Sequence, residues 1–376
     1  MGSPTDAARL VALRLPATPE ALEVMQRSWA RGDALLPLPA DAPDDVVARI
    51  LAALRPAVLR GDDGDVSLPD PVPVAADTAL VVTTSGTTGP PKGVKLTHQA
   101  LTASVAASLD RLGWAPDDRW LCCLPLHHVA GILVLLRAWQ VGTAPIVQAG
   151  FDAASVAAAD AATHVALVPT MLHRLLDARV DVTRFRRVLV GGAPAGRRLR
   201  ERAAAAGAPV TVSYGMTETC GGCVYDGVPL DGVEVRVDAD GCIAIRGPVV
   251  MRGYRGRPDL TAAVLDADGW LHTTDLGRWT DDGRLEILGR GDDVIVTGGE
   301  KVAAGQLAAL LRAHPRVADA AVIGHPDPDW GERVVAYCVA SDRLDPPTLD
   351  ELRDFVAAHA PRHAAPRELR LVEDLP

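Results

Sequence analysis

The chain has 376 residues, 48% of them hydrophobic and 23% charged, with a net charge of −10 at pH 7. That length exceeds one typical domain, so two are expected, and no apolar run approaches the ~20 residues that a membrane span requires. An acidic balance argues against nucleic acid as the main partner, because a phosphate backbone calls for a basic face.

The first 20 residues mix Asp6, Arg9, Arg14 and Glu20 with prolines and lack a continuous apolar stretch, so no secretory signal is expected and the protein is placed in the cytoplasm. Residues 41–60 carry a helix pattern, with Val46, Val47, Ile50, Leu51 and Leu54 on one face after Pro43. Residues 61–73 read as an acidic, proline-rich loop. An apolar strand at 79–82 then leads into TTSGTTGPPKG, residues 83–93. Its glycines let successive backbone N–H groups turn inward, Thr84, Ser85, Thr87 and Thr88 add donors, and Lys92 supplies a mobile positive charge. Gly86 and Gly89 hold the bend. The spacing differs from the GxxxxGK[ST] of P-loop NTPases, so this is a phosphate grip of another kind. A Gly/Thr-rich surface turn is the plainer alternative; the strand before it, and the helix pattern of Leu101, Val105, Leu109 and Leu112 after it, favour the phosphate reading.

From residue 80 to 213, strand-like runs at 120–124, 144–147, 165–168, 188–190 and 210–213 alternate with alanine-rich helical stretches, which implies an α/β layer architecture. Between 231 and 288 the pattern changes to short strands with Asp-Gly turns at Asp240-Gly241, Asp268-Gly269 and Asp282-Gly283, a β-rich subdomain. A linker at 288–293 precedes a compact α+β tail. That tail has helices marked by Leu307, Leu310 and Leu311 and by Leu349, Leu352, Phe355 and Val356, and strands at 320–323 and 334–339. The expected division is a large domain at 1–289 and a small mobile one at 290–376, with a hinge near 291–292.

Six cysteines are present, and only Cys220 and Cys223 have ligand-like spacing; without a second such pair they read as buried reduced thiols. Only three of 38 basic residues are lysine, namely Lys92, Lys95 and Lys301. A chain that avoids lysine yet keeps it in the phosphate loop and in a Gly-Gly-Glu-Lys turn needs it there.

Five further motifs follow the loop in fixed order: LPLHHVAG (124–131), VGGAP (190–194), SYGMTET (213–219), HTTDLG (272–277) and LGRGDDVIVTGGEKV (288–302). With TTSGTTGPPKG they resemble the adenylate-forming superfamily of acyl-CoA synthetases, peptide-synthetase adenylation domains and luciferases, over residue 80 to the C-terminus. The resemblance implies an enzyme that joins a carboxylic acid to AMP, releases pyrophosphate and passes the acyl group to a thiol, with ATP, Mg²⁺ and CoA as partners. It implies that Thr84, Ser85, Gly86, Thr87, Thr88, Gly89 and Lys92 hold the β- and γ-phosphates. Tyr214 stacks on adenine opposite Gly192 and Ala193, within the segment Ser213, Tyr214, Gly215 and Met216 that lines the nucleotide. Thr217 meets the α-phosphate, Glu218 binds Mg²⁺ as a hard oxygen donor, and Asp275, helped by Arg290, takes the ribose hydroxyls. His128 gates the acyl and thiol channel, and His127 is structural. Asp292 marks the hinge, and Gly298 and Gly299 face the CoA channel. Taken singly, Tyr214 reads equally as a core aromatic, Glu218 as a helix N-terminal acid and Asp275 as a turn residue.

The family carries a lysine in a Gly-Lys loop near its C-terminus. None of the three lysines matches it by position, so the C-terminal segment is expected to be shortened, and the roughly eighty residues before the phosphate loop to form a reduced N-terminal subdomain. Within the superfamily, the length and SYGMTETCGGCVYDGVPLDG are similar to the o-succinylbenzoate–CoA ligases of menaquinone synthesis. Arg137, in the apolar segment GILVLLRAW, suits the second carboxylate of such an acid, an internal acidic partner, or the place of a snorkelling surface arginine. Gly131, Gly215, Gly221 and Gly222 are expected to line the acyl pocket, with Gly221 and Gly222, together with Ala130 and Gly131, leaving room for a ring. Another aryl- or fatty-acid–CoA ligase, or a non-catalytic adenylate-binding protein, shares the same motifs, and a homodimer is possible.

Overall fold

The computed structural model describes residues 7–14, 17–61, 64–84, 91–291, 293–373 and 375. Contacts divide the chain into two compact units: Met1–Ala195 with Ala203–Glu234 and Ile245–Leu271, and Gly196–Arg202 with Val235–Ala244 and His272–Pro376.

The first unit holds two seven-stranded sheets. One runs in the order Ile146–Val147, Trp120–Cys122, His164–Leu167, Arg187–Val190, Val210–Met216, Gly221–Tyr225, Val228–Pro229. Its first five strands are parallel, and the last two fold back antiparallel. Leu121, Val165 and Val188 have no exposed surface, as expected of parallel strands covered on both faces. The helix Val129–Gln140 is apolar nearly all round and buries Val129 and every residue from Gly131 to Ala138. The helix His98–Leu112 starts at Thr97, whose hydroxyl accepts from Ala100 N at 3.0 Å.

The second sheet runs Gly253–Tyr254, Lys92–Thr97, Thr78–Thr84, Ala34–Leu38, Leu10–Arg14, Val58–Gly61, Gly64–Ser67. The N-terminal residues thus supply three strands that run parallel to one another, with Ala34–Leu38 also parallel to Thr78–Thr84. Sequence pattern did not mark them, and for Ala34–Leu38 the reason is physical: ALLPL is buried at all five positions, so it lacks period-two alternation, and Pro37 argues against a central strand. The expected loop at 61–73 is corrected in the same way, since Gly64–Ser67 pairs antiparallel with Val58–Gly61.

In the second unit, most of a four-stranded sheet is built from Glu234–Val237, Cys242–Arg246, Leu271–Trp279 and Leu285–Arg290, the expected short strands. A five-stranded sheet follows, made of Val294–Thr297, Glu300–Ala303, Val317–Asp327, Gly331–Ala340 and Glu368–Leu371, with helices Ala304–Arg312 and Leu349–His359. Ile295, Val302, Leu307, Leu311, Val317, Val334, Leu352 and Val356 form its core. Thr348 and Glu351 close a reciprocal cap on the second helix.

Candidate functional site

Thr84 and Lys92 are cross-strand partners, so the phosphate-loop motif begins and ends on two neighbouring antiparallel strands. Ser85, Gly86, Thr87, Thr88 and Gly89 lie outside the described residues, as does Asp292. The loop does not run directly into a helix: the strand Lys92–Thr97 intervenes, with Val94 and Leu96 fully buried. That strand anchors Lys92 on the sheet built by the N-terminal strands.

VGGAP and SYGMTET are brought side by side by the other sheet. Val190 pairs in parallel with Val212, so Gly191 and Gly192 leave one strand where Ser213 and Tyr214 continue the next. This is the C-terminal edge of a parallel sheet, the edge at which open α/β sheets bind ligands. Gly192 has φ +82, a left-handed turn that glycine adopts without strain, and Gly191 lies so close to Ser213 that an added Cβ would stand 3.2 Å from it. Past a register shift at Tyr214/Gly215, the single turn Thr217–Thr219 presents Thr217 and Glu218. Thr219 is buried and holds that turn: it accepts from Met216 N at 2.9 Å and donates to Gly221 O at 2.8 Å.

Glu218 and Lys92 meet through a residue that the sequence reading missed. The Tyr254 hydroxyl donates to Glu218 Oε1 at 2.9 Å, and Lys92 Nζ lies 5.8 Å from the Tyr254 ring centroid. Burial, together with the Glu218 charge, pushes the phenol well above its ordinary pKa, so it keeps its proton to donate. The only sequence signal was position: Tyr254 stands in MRGYRG, where a short strand pairs Tyr254 with Val94 beside Lys92.

His128 is the extended residue before the helix Val129–Gln140, and the His127 ring packs against it with centroids 4.2 Å apart. Burial and the neighbouring His128 lower His127 to a pKa of about 4, and loss of hydration lowers His128 as well. Both imidazoles are therefore neutral near pH 7, and neutral His128 has a lone pair to accept a hydrogen bond.

Four glycines and Arg137 are among the residues expected at the acyl substrate, and each has close partners within the chain. A Cβ on Gly131 would strike Pro125 O, one on Gly221 would strike Leu133 Cδ1, and one on Gly222 would strike Ser213 Oγ. The space their missing side chains leave is already used by the chain's own close packing, so these glycines do not open room for a ring. Gly215 is used likewise, with Gly221 O against it. Arg137 is 3% exposed and is held by hydroxyls: Nε donates to Ser108 Oγ at 2.8 Å and Nη2 to Tyr225 OH at 3.3 Å. Its guanidinium also lies 5.2 Å from the Trp120 ring centroid. Among the described residues it pairs with no acidic side chain and sits in a buried polar cluster.

In the second unit, Asp275 and Arg290 are directly paired across neighbouring strands, and Arg290 Nη2 donates to Thr274 Oγ1 at 3.0 Å. Gly298 and Gly299, with φ +60 and +83, are the two central residues of the hairpin joining Thr297 to Glu300. Two successive positive φ values make the turn type that matches strand twist, which explains the Gly-Gly pair. The Trp330 ring lies over Gly298.

Residues 59–255 match the AMP-binding enzyme family, and residues 306–376 match the AMP-binding enzyme C-terminal domain. The chain belongs to this family. It is 47% identical over 315 residues to the probable 2-succinylbenzoate–CoA ligase of Mycobacterium tuberculosis, covering 80% of this chain and 81% of that protein. It is 34% identical to 2-succinylbenzoate–CoA ligase of Bacillus cereus over 79% of this chain and 66% of that one. The fold superposes on o-succinylbenzoate CoA synthetase of Bacillus subtilis in complex with its acyl-adenylate intermediate, with a TM-score of 0.78 and 28% identity over 98% of this chain and 85% of that one. A second complex of that synthetase, with ATP and magnesium ion, gives a TM-score of 0.77. The architecture of this AMP-binding enzyme is therefore the adenylate-forming fold.

The residues present fit a magnesium ion. Tyr254 occupies one carboxylate oxygen of half-buried Glu218 and so orients the other as a hard donor, the kind of single carboxylate Mg²⁺ uses together with phosphates and water. The Cys220-x-x-Cys223 spacing serves packing instead. Both thiols are buried, and burial raises their pKa, that of Cys223 to about 12.

Proposed function

We infer that this AMP-binding enzyme is an ATP-dependent acid–CoA ligase that converts o-succinylbenzoate, ATP and CoA into o-succinylbenzoyl-CoA, AMP and pyrophosphate, a step of menaquinone synthesis. The observation that carries the reading is the meeting of Lys92 and Glu218 at Tyr254, in a chain 47% identical to a probable ligase of this acid over four-fifths of both proteins.

In the first half-reaction a carboxylate oxygen of the acid attacks the α-phosphorus, and the bond to the bridging oxygen breaks to release pyrophosphate. The residues 84–92 motif and Lys92 hold the outgoing phosphates, and Thr217 donates to the α-phosphate, so the charge that develops meets donors already in place. Glu218 would hold the magnesium ion, which would neutralise phosphate charge when bound. Tyr214 stacks on adenine against Gly192 and Ala193, with Ser213, Gly215 and Met216 completing that wall. Asp275, with Arg290 beside it, accepts the ribose hydroxyls. In the second half-reaction the CoA thiol attacks the acyl carbon and AMP leaves. Neutral His128 borders the acyl carboxylate, and Gly298 and Gly299 give the backbone a close approach to the pantetheine. The two domains, 1–289 and 290–376, alternate about Asp292 between the half-reactions.

Among the described residues no helix is long and apolar enough to cross a membrane. We place the enzyme in the cytoplasm, without nucleic acid and as a homodimer. The test is a pyrophosphate-release and CoA-thioester assay across o-succinylbenzoate, benzoate and medium-chain acids. Preference for o-succinylbenzoate by less than about tenfold in kcat/KM would move the assignment to a general aryl- or fatty-acid–CoA ligase.

A further inference from the structure

The segment 251–255 grips the centre of the adenylation site at several points. Met251 N donates to Glu218 O at 2.8 Å, and the Tyr254 hydroxyl donates to the side chain of the same glutamate at 2.9 Å. Tyr254 N donates to Thr261 Oγ1 at 2.9 Å, and the strand Gly253–Tyr254 pairs with the strand that begins at Lys92. Arg255 locks this arrangement from behind. It is 7% exposed, its N–H reaches Gly93 O at 2.7 Å, and its guanidinium donates to the carbonyls of Leu54, Arg55, Val72 and Pro73. Those four carbonyls include the C-terminal end of the helix Asp44–Leu54, so the N-terminal residues fix the tyrosine's position.

We propose that Tyr254 is a positioning residue for both halves of the phosphate machinery: it orients Glu218 toward its cation and keeps Lys92 from neutralising it. An ammonium and a carboxylate brought together in a half-buried site form an ion pair, and each then loses its use for a ligand. The phenol prevents this with two separate surfaces. Its hydroxyl holds Oε1 alone, and its ring face gives Lys92 a weaker resting place, which a phosphate readily outcompetes. Arg255 supports the tyrosine and touches neither partner's charged atoms.

This inference rests on the ligase reading, and calorimetry of ATP binding separates the two. ATP affinity is measured while Mg²⁺ is titrated and again with the metal chelated, in the unsubstituted enzyme, Tyr254→Phe, Tyr254→Leu, Glu218→Gln and the Tyr254→Phe/Glu218→Gln double variant. Loss of a hydrogen bond to a charged group predicts that Tyr254→Phe needs about tenfold more Mg²⁺ for half-maximal effect. Its metal-free ATP affinity stays within about twofold, because the ring remains beneath Lys92. Tyr254→Leu weakens binding in both conditions. In the Glu218→Gln background Tyr254→Phe has no further effect on the Mg²⁺ midpoint, a coupling that a merely structural tyrosine would not produce. An unchanged midpoint in Tyr254→Phe, an equal loss with and without metal, or additive effects in the double variant overturns the proposal. An unsubstituted enzyme that binds ATP no better with Mg²⁺ than without it overturns the ligase reading and this inference together.

Discussion

Arg137 and Glu218 are both charged residues set against a tyrosine hydroxyl, Tyr225 in one case and Tyr254 in the other. Around Arg137 the protein supplies partners of its own. Ser108 and Tyr225 accept its protons, the hydroxyls bond each other at 2.8 Å, Trp120 covers the cation, and the side chain is 3% exposed. Around Glu218 one oxygen is engaged and the residue stays half-open, with a lysine resting nearby on an aromatic face. A buried charge that meets the protein's own hydroxyls and an aromatic face is a structural charge. A charge held through one oxygen keeps unspent hydrogen-bonding capacity.

The sharpest test of that contrast is at the open site. Lys92→Ala and Glu218→Gln should each lower adenylation, measured as pyrophosphate release at saturating acid, by about 10²- to 10³-fold, as for loss of one preorganised electrostatic contact. Their denaturant midpoints should stay near the parent value, and a large fall would erase the distinction. Arg137→Ala should do the reverse. Losing a buried side chain with two hydroxyl partners and an aromatic cover should cost about 2 to 4 kcal/mol of unfolding free energy. Any loss of kcat/KM should be equal for o-succinylbenzoate and for a mono-acid analogue; selective loss for the diacid would return Arg137 to substrate recognition.

Acid supplies a third test. His127 is held at a pKa of about 4, below its ordinary 6.5, chiefly by burial, so the unfolded chain takes up a proton before the folded one does. Its contribution is present above pH 6.5 and is lost as pH falls from there toward 4. The unfolding midpoint should drop across that window by an amount equivalent to at most a few kcal/mol, and His127→Phe should flatten the profile. A slope that the variant does not change would mean that other groups titrate there. The smallest effect concerns the thiols. Cys122, Cys123, Cys220, Cys223 and Cys338 are buried with raised pKa values, whereas Cys242 is partly exposed. A chromogenic disulfide reagent should therefore modify about one thiol in the native enzyme, with little loss of activity. Rapid reaction of a second thiol would show that the sheet around Cys220 opens.

What could be read from the chain alone was local. The phosphate motif, the SYGMTET turn and the Gly298-Gly299 hairpin each require particular residue types within a few positions, because backbone N–H groups, a left-handed turn and a mobile cation are properties of short segments. The alternation of apolar runs likewise marked the parallel sheet from 120 to 216, since covered strands have an apolar signature of their own. Contacts between residues distant in sequence were not legible. Tyr254 reaches Glu218 from 36 positions away, and Arg137 finds Tyr225 from 88 away, so nothing in MRGYRG or GILVLLRAW names the partner. The glycines near the acyl end misled for the same reason. A missing side chain gives open space or close packing according to what folds against it, and only the tertiary structure places Pro125, Leu133 and Ser213 there. Among the N-terminal strands, Ala34–Leu38 was hidden because it is buried at every position, and its place in the sheet is set by the neighbours it pairs with. The sequence by itself carried the local motifs of an AMP-binding enzyme, and the fold decided which charges are buried among the protein's own hydroxyls and which stay partly open.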